Sequence, residues 1–303
     1  MRICTHSGDF HADDVLAVST LLEIYPDAEV VRSREPAVWD TCELVVDVGF
    51  VYDSTRGRFD HHQAGDPAVY RSNGIRYSGF GLVWKHFGRQ ICPDELAWAQ
   101  IDRNLAMTVD AGDNGQLTYK SDDRNVPLFE TDHLVKVLNP LKSNPQETPD
   151  GQFAVAVGLA RPFLRRLIAR ETEKAALGQK LIGLYEAAAD KRWLVSDEQL
   201  PVNEYKDRLP VLLYIVTPSS ADTSWRALAV EADAPFTQRQ PFPEAWRGLS
   251  DADLAAVTGV ADAKFCHLNG FIVVAGSRAG VEQLVKLSLD NLDEAKQAKG
   301  GLV

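Results

Sequence analysis

Met1-Arg2-Ile3-Cys4-Thr5-His6-Ser7-Gly8-Asp9-Phe10-His11-Ala12-Asp13-Asp14-Val15-Leu16-Ala17-Val18 opens the chain, and its reading decides the fold class. Arg2 to Thr5 reads as a short strand, and the glycine-containing polar segment after it as a turn. Val15-Leu16-Ala17-Val18 and Leu21-Leu22 recur at i, i+3 and i+4, the helical period. Asp13 and Asp14 at the start of that helix suit capping and the helix dipole. Pro26 stops the helix, Glu29 to Arg32 reads as a second strand, and Leu44 to Val48 as a third. Strand, helix, strand and strand joined by short links indicate an α/β fold with a mostly parallel sheet and flanking helices.

Beyond this core the pattern stays helical for some distance. Arg56-Gly57 marks a turn, and Phe59 leads into Asp60-His61-His62. Phe80 to Phe87 and Asp94 to Val109 read as helices, the second ending in Asp110-Ala111-Gly112-Asp113-Asn114-Gly115. Residues 121 to 151 are rich in Asp, Asn and Pro and read as a loop or boundary, followed by a helical stretch from about Phe153 to Lys191. Strand candidates then lie at Val211 to Val216, Arg226 to Val230 and Phe271 to Ala275, with a closing helix from Val281 to Leu292. The expectation is a catalytic domain over 1–190, whose last part (about 151–190) is a helical connector, and a smaller C-terminal α+β domain over 191–303.

Composition narrows the function classes. A chain of 303 residues buries a substantial core. Its net charge of −11 argues against broad binding to duplex DNA or to an anionic membrane. Cys4, Cys42, Cys92 and Cys266 are scattered without zinc-finger or C-x-x-C spacing, which reads as reduced thiols in a cytoplasmic protein. No apolar run approaches the roughly eighteen residues of a membrane span.

Four of the seven histidines fall within the first 62 residues, each beside an aspartate. They are His6 and His11 around Asp9, Asp13 and Asp14, and His61 and His62 after Asp60, with Asp47 closing an apolar run between the two groups. Carboxylate and imidazole together are ligands for Mn²⁺, Fe²⁺ and Zn²⁺. Each group follows a strand candidate, and in an open α/β sheet ligands gather at the carboxyl ends of strands. Taken singly, an aspartate at a helix start is a cap and a lone histidine is structural. Clustered, they would crowd like charges together at a cost that a cation removes. A site with more than one metal and hydrolytic chemistry is the reading that follows.

The order of motifs is more specific. Thr5-His6-x-Gly8-x-Phe10-His11-x-Asp13-Asp14, Val45-Val46-Asp47-Val48-Gly49, Asp60-His61-His62-Gln63, Gly81 to Gly88 and Val109 to Gly115 follow one another, and Pro243 to Leu249 and His267 to Phe271 come in the last third. In these blocks the chain resembles the Myg-type (melanocyte-proliferating-gene) family of the DHH phosphoesterase superfamily, known for metal-dependent RNA exonuclease activity. The resemblance implies two divalent ions, Mn²⁺ foremost, with Mg²⁺, Co²⁺ or Zn²⁺ as alternatives. One would be held by His6, His11 and Asp47, the other by Asp13, Asp47, His61 and Asp110, with Asp47 bridging. It gives His62 the scissile phosphate and Asp60 the task of orienting a histidine.

The same resemblance places a phosphate- or nucleotide-binding edge at His267, Asn269, Gly270 and Arg278. Gly270 would let backbone approach a phosphate, and Arg278 would grip one. Relatives carry a glycine pair soon after this Gly-Phe, where the chain reads Ile272-Val273-Val274. Arg161, Arg165, Arg166 and Arg170 stand at helical spacing, either as a track for a single-stranded backbone or as a solvated face paired with acids. The implied activity is a two-metal phosphodiesterase working from a 3′ end on RNA or short oligonucleotides, with no duplex DNA specificity and no membrane partner. Hydrolysis of a small phosphate compound (pyrophosphate, a cyclic dinucleotide or nanoRNA) and a non-catalytic metal-stabilised module are the alternatives. A homodimer is compatible with either enzyme.

Overall fold

The computed structural model describes residues 1–63, 69–117, 131–220, 222–234 and 236–300. Contacts divide the chain into two compact units, Met1–Ala175 and the remainder from Ala176, ahead of the expected boundary at 190.

In the first unit the N-terminal apolar runs become strand β1 (Arg2–Thr5), helix α1 (Ala12–Ile24), β2 (Glu29–Arg32), a single turn α2 (Pro36–Trp39), β3 (Leu44–Val46), β4 (Tyr52–Asp53) and β5 (Arg58–Phe59). The sheet order is β2-β1-β3-β5-β4. Neighbours pair in parallel except β4, which runs antiparallel to β5 at the edge. Ile3 lies opposite both Val30 and Leu44, so the middle of β1 is covered on its two edges and is fully buried. The mostly parallel sheet is therefore present, with the β4–β5 hairpin as an addition that two-residue strands leave no periodicity to announce.

Helix α1 is buried continuously from Ala12 to Leu22, polar Ser19 and Thr20 included. It therefore packs on more than one side, chiefly against α3 (Gly79–Ile91), whose Phe80, Leu82, Val83 and Trp84 join the same core. Ser78 caps α3 through its Oγ, which accepts from Gly81 N at 3.3 Å. The helix expected over 94–109 is in three pieces: α4 (Glu95–Ile101), a π-helical turn (Asp102–Ala106) and α5 (Met107–Asp113). Of the expected loop over 121–151, residues 121–130 lie outside the described residues, and a short helix α6 (Thr131–Lys136) follows them. The long helix α7 (Pro149–Ala187) gives Phe153, Val157 and Leu164 to the first core and Leu181 and Tyr185 to a core of the second unit.

The second unit is α+β. Its strands β6 (Trp193–Val195), β7 (Tyr214–Pro218), β8 (Trp225–Ala229), β9 (Ala263–Cys266) and β10 (Ile272–Ala275) form a sheet of order β6-β7-β8-β10-β9. Only β6 and β7 run parallel. Helices α8 (Asp251–Thr258) and α9 (Arg278–Gly300) accompany it, and Val281, Leu284, Val285 and Leu289 of α9 pack with Tyr214, Phe242 and Val273. The four cysteines are free and buried. No helix among the described residues is long and apolar enough to cross a membrane.

Gly57, just before β5, has φ +69°, and a Cβ on it would overlap the Glu43 carbonyl. Gly74, at φ +83°, faces open space. Gly57→Ala should lower unfolding free energy by about 2–4 kcal/mol, from backbone strain plus overlap, and Gly74→Ala by only about 1 kcal/mol. Urea unfolding of the two variants checks this; equal losses would show that the Gly57 contact does not constrain the hairpin.

Candidate metal centre

Three strand ends converge. His6 follows β1, Asp47 follows β3 and Asp60-His61-His62 follows β5, all at the carboxyl edge of the parallel strands. The start of α1 brings His11, Asp13 and Asp14 to the same place. Asp47 is central. Its backbone N donates to Phe59 O at 3.2 Å, which ties β3 to β5, and its φ of +54° turns the side chain out of the strand register. Its Oδ1 lies 3.1 Å from His61 Nε2, and its Oδ2 lies 3.4 Å from His6 Nε2. One carboxylate thus stands between two imidazoles, each offering Nε2.

Around it the potential ligand atoms fall into two groups, Asp47, Asp60, His61 and His62, and His11, Asp13 and Asp113. Within each group they lie within 4.8 Å of one another. His61 links the groups, with Nε2 3.2 Å from Asp113 Oδ2. Asp60 has its oxygens committed: Oδ1 accepts from His62 N at 3.0 Å and lies 2.8 Å from His62 Nδ1, and Oδ2 accepts from Phe50 N at 2.5 Å. It therefore holds the His62 ring, which is half exposed, while Asp60 itself is buried. A cavity of about 600 Å³ opens over the cluster, with Arg34, Trp39, Phe50, Arg76 and Asn114 in its walls.

Burial and charge bear on whether the cluster fits a cation. Burial pushes the Asp13 carboxyl well above its ordinary range, and the charges of Asp47, Asp113 and Asp14 add to the effect. Burial likewise pushes Asp14 up to about 7, against the pull of His6, and raises Asp113. Asp47 goes the other way: burial would raise it, but the imidazoles of His6 and His61 close beside it hold it well below the carboxylate range. Asp13 Oδ1, Asp14 Oδ2, Asp47 Oδ1 and both ring nitrogens of His61 are buried without a hydrogen-bond partner. Orphaned buried acceptors among crowded carboxylates are costly unless a cation satisfies them. Carboxylates mixed with imidazoles suit Mn²⁺, Fe²⁺, Co²⁺ or Zn²⁺, and the donor set fits a divalent ion of that kind.

Asp110, in the middle of α5, and Asp113, at its end, stand in different surroundings. The resemblance placed Asp110 on a metal, but its Oδ1 accepts from Ser78 N at 2.9 Å and Ser78 Oγ at 2.7 Å, and its Oδ2 from Arg71 Nε at 2.6 Å. Arg71 also reaches Asp102 at 2.6 and 3.0 Å. Asp110 is thus a fully engaged buried anion, and Asp113, one helical turn on, faces Asp13 and His61 instead. The intervening π-helical turn changes the helical phase, so the face that α5 presents is not legible from a regular period. The usable signal was the presence of two acids in one block.

The second unit carries the other predicted residues. His267 Nδ1 accepts from Asn269 N at 3.1 Å, and Gly270 N donates to His267 O at 2.8 Å, making a tight turn. Gly270 has φ +66°, and a Cβ there would lie 2.8 Å from Arg247 Nε and 3.1 Å from Phe242 O, so the turn and its packing both favour glycine. Asn269 and Phe271 line a cavity of about 460 Å³ with Asn203, Phe236 and Gln238. Arg278 bonds Glu282 at 2.7 Å and lies 3.6 Å from Asp197, the behaviour of a solvated surface arginine. In the arginine row of α7, Arg161 and Arg165 both bind Glu23, at 2.7 and 2.5 Å, which favours the paired face over a phosphate track.

Comparison with known proteins bears on this geometry. The model of the uncharacterised protein family UPF0160 matches residues 2–289. The chain is 32% identical over 310 residues to the MYG1 protein of Dictyostelium discoideum, covering 92% of this chain and 94% of that one. It is 31% identical over 326 residues to the MYG1 exonuclease of Homo sapiens, covering 95% and 85%. Among solved structures, a pGpG-specific phosphodiesterase from Vibrio aligns over 95% of this chain and 99% of that chain, with a TM-score of 0.33 and 13% identity. The chain belongs to the UPF0160 family, the MYG1 family of the DHH-like phosphoesterase group.

Two expectations follow. Asp113→Asn should reduce bound metal, read by elemental analysis, with little change in melting temperature. Asp110→Asn should instead lower stability by roughly 3 kcal/mol, because it leaves Arg71 less compensated in a buried network; metal loss confined to the Asp110 variant would reverse the assignment. Metal affinity should also climb with pH. Asp13, Asp14 and Asp113 have folded-state pKa values above their ordinary ones. Below those values the site holds protons that an ion must displace, and above them it does not. With Asp14 at about 7, the rise should be steep near neutrality in a competition titration.

Proposed function

We propose that this member of the UPF0160 family is a metal-dependent exonuclease that removes nucleotides from the 3′ end of RNA or short oligonucleotides. The observation that carries the reading is the Asp47 carboxylate set between His6 and His61, with two ligand groups linked through His61. That arrangement supports two ions, one that Asp47 and His61 would hold and one that His11, Asp13 and Asp113 would hold. The relatives named exonucleases support the reaction class. Mn²⁺ is the ion we assign, and the cytoplasm the compartment, since the four cysteines are free.

When bound, such ions lower the pKa of a water and offset charge on phosphate oxygens. The protein's own residues do the rest. Asp60 grips His62 at both its backbone N and its ring, and that hydrogen bond raises the His62 pKa against the effect of partial burial. His62, half exposed at the mouth of the cluster, then presents a charged donor to a phosphate oxygen. Asp14 Oδ1 accepts from His11 N at 2.9 Å, which holds His11 at the start of α1, and its Oδ2 lies 3.3 Å from His6 Nε2. His267 and Asn269 remain candidates for contacting the far end of a substrate.

The test combines a substrate panel with a variant. Mn²⁺-loaded protein should degrade RNA with a free 3′ end and not RNA blocked there, whereas a 5′ block should leave the rate unchanged. Asp47→Asn should abolish turnover, a loss of at least roughly 10³-fold, and remove metal. Rapid turnover confined to pyrophosphate would make the protein a small-phosphate hydrolase. Bound metal with no turnover of any phosphoester would make it a non-catalytic module.

A further inference from the structure

The segment joining Asp47 to β4 is strained without an obvious packing reason. Asp47, Gly49 and Phe50 all have positive φ, at +54°, +100° and +59°. For Asp and Gly that is tolerated; for a phenylalanine it is a costly conformation. Phe50 gains no burial in return, since its surface is 66% exposed. Its conformation is enforced locally: Phe50 N donates to Asp60 Oδ2 at 2.5 Å, and Gly49 lies against the Trp39 ring. The carboxylate that orients His62 thus also fixes Phe50. The exposed ring stands in the wall of the cavity above the metal cluster.

The same wall carries unspent polar capacity. Arg76 donates through Nη2 to the His61 carbonyl, and its Nε is buried without a partner. Asn114 Nδ2 holds the Arg76 carbonyl at 3.1 Å, which secures the loop that bears the arginine. An exposed aromatic face beside an under-satisfied guanidinium, both over a phosphate-hydrolysing centre, matches the way single-stranded nucleic acid is held: bases on aromatic rings, phosphates on arginine.

We propose that Phe50 is a stacking platform for the terminal nucleobase of the substrate, with Arg76 taking an adjacent phosphate oxygen. This rests on the phosphodiesterase reading and sharpens it: the substrate is a nucleotide ester recognised through its base, not a bare phosphate compound. Phe50 is a substrate-positioning residue and takes no part in bond breaking. The strain at φ +59° persists because the ring works in the cavity and not in the core.

The experiment compares Phe50→Gly and Phe50→Tyr with the parent chain on oligoribonucleotides ending in a normal or an abasic residue at either end, measuring turnover and equilibrium binding. The parent should prefer the base-bearing end by about tenfold in kcat/KM, mainly through KM, since stacking of one base has about that effect. Phe50→Gly should lose that preference while its melting temperature rises by a few degrees, as glycine relieves the positive φ. Phe50→Tyr should keep the preference. A parent chain indifferent to the terminal base, or a glycine variant that retains the preference, would overturn the proposal. Binding that discriminates without turnover would sink the hydrolase reading and leave the stacking site standing.

Discussion

The position of the Asp47 carboxylate governs the first unit. Its backbone N is bonded to Phe59 O in β5, so the residue that ends β3 is held directly beside the start of Asp60-His61-His62. Its left-handed φ then swings the side chain between His6 and His61. Gly79 at the start of α3 comes so close that a Cβ there would lie 2.9 Å from Asp47 Cβ and 3.2 Å from Asp13 Oδ2. The sheet, α1 and α3 are thus all docked against one acid. A carboxylate so enclosed keeps its charge only because two imidazoles face it.

That constraint explains why polar groups, not apolar ones, occupy the middle of this unit. Asp13, Asp14, Asp47, Asp60 and Asp110 are all buried. Two of them are fully answered within the protein: Asp60 by Phe50 N and His62, Asp110 by Ser78 and Arg71. Asp13, Asp14 and Asp47 each retain an oxygen with no hydrogen-bond partner. The division separates acids that build the scaffold from acids that are free to answer a cation. Hydrophobic burial cannot account for it, because apolar replacements would pack a sheet edge at lower cost.

Much of this was legible in the sequence for a physical reason. The i, i+3, i+4 pattern after Asp14 and the apolar runs at Ile3 and Val45 are long-range signals of burial, and they placed β1, α1 and β3 correctly. Histidines beside aspartates at strand ends marked the cluster of residues that could hold a metal. What escaped depended on local backbone geometry. The β4–β5 hairpin has two-residue strands, too short to show an alternation. The π-helical turn at Asp102–Ala106 shifts the phase of α5, so that Asp110 meets Ser78 and Arg71 while Asp113 lies beside His61, and no side-chain pattern encodes an extra residue in a turn. Phe50 reads as an ordinary apolar residue until its φ and exposure are known.

The Arg71 network adds a final consequence for charge. By engaging Asp102 and Asp110, Arg71 removes one carboxylate from the set that faces the cations. Asp13, Asp14, Asp47 and Asp113 are left to answer a cation. Each carboxylate withdrawn in this way leaves more of a bound ion's positive charge uncompensated, which favours an anionic phosphate and the charge that builds on it during hydrolysis. The same arginine lies 4.6 Å from the Tyr77 ring and fixes the segment that leads into Ser78 and α3. Scaffold and charge balance therefore depend on one side chain.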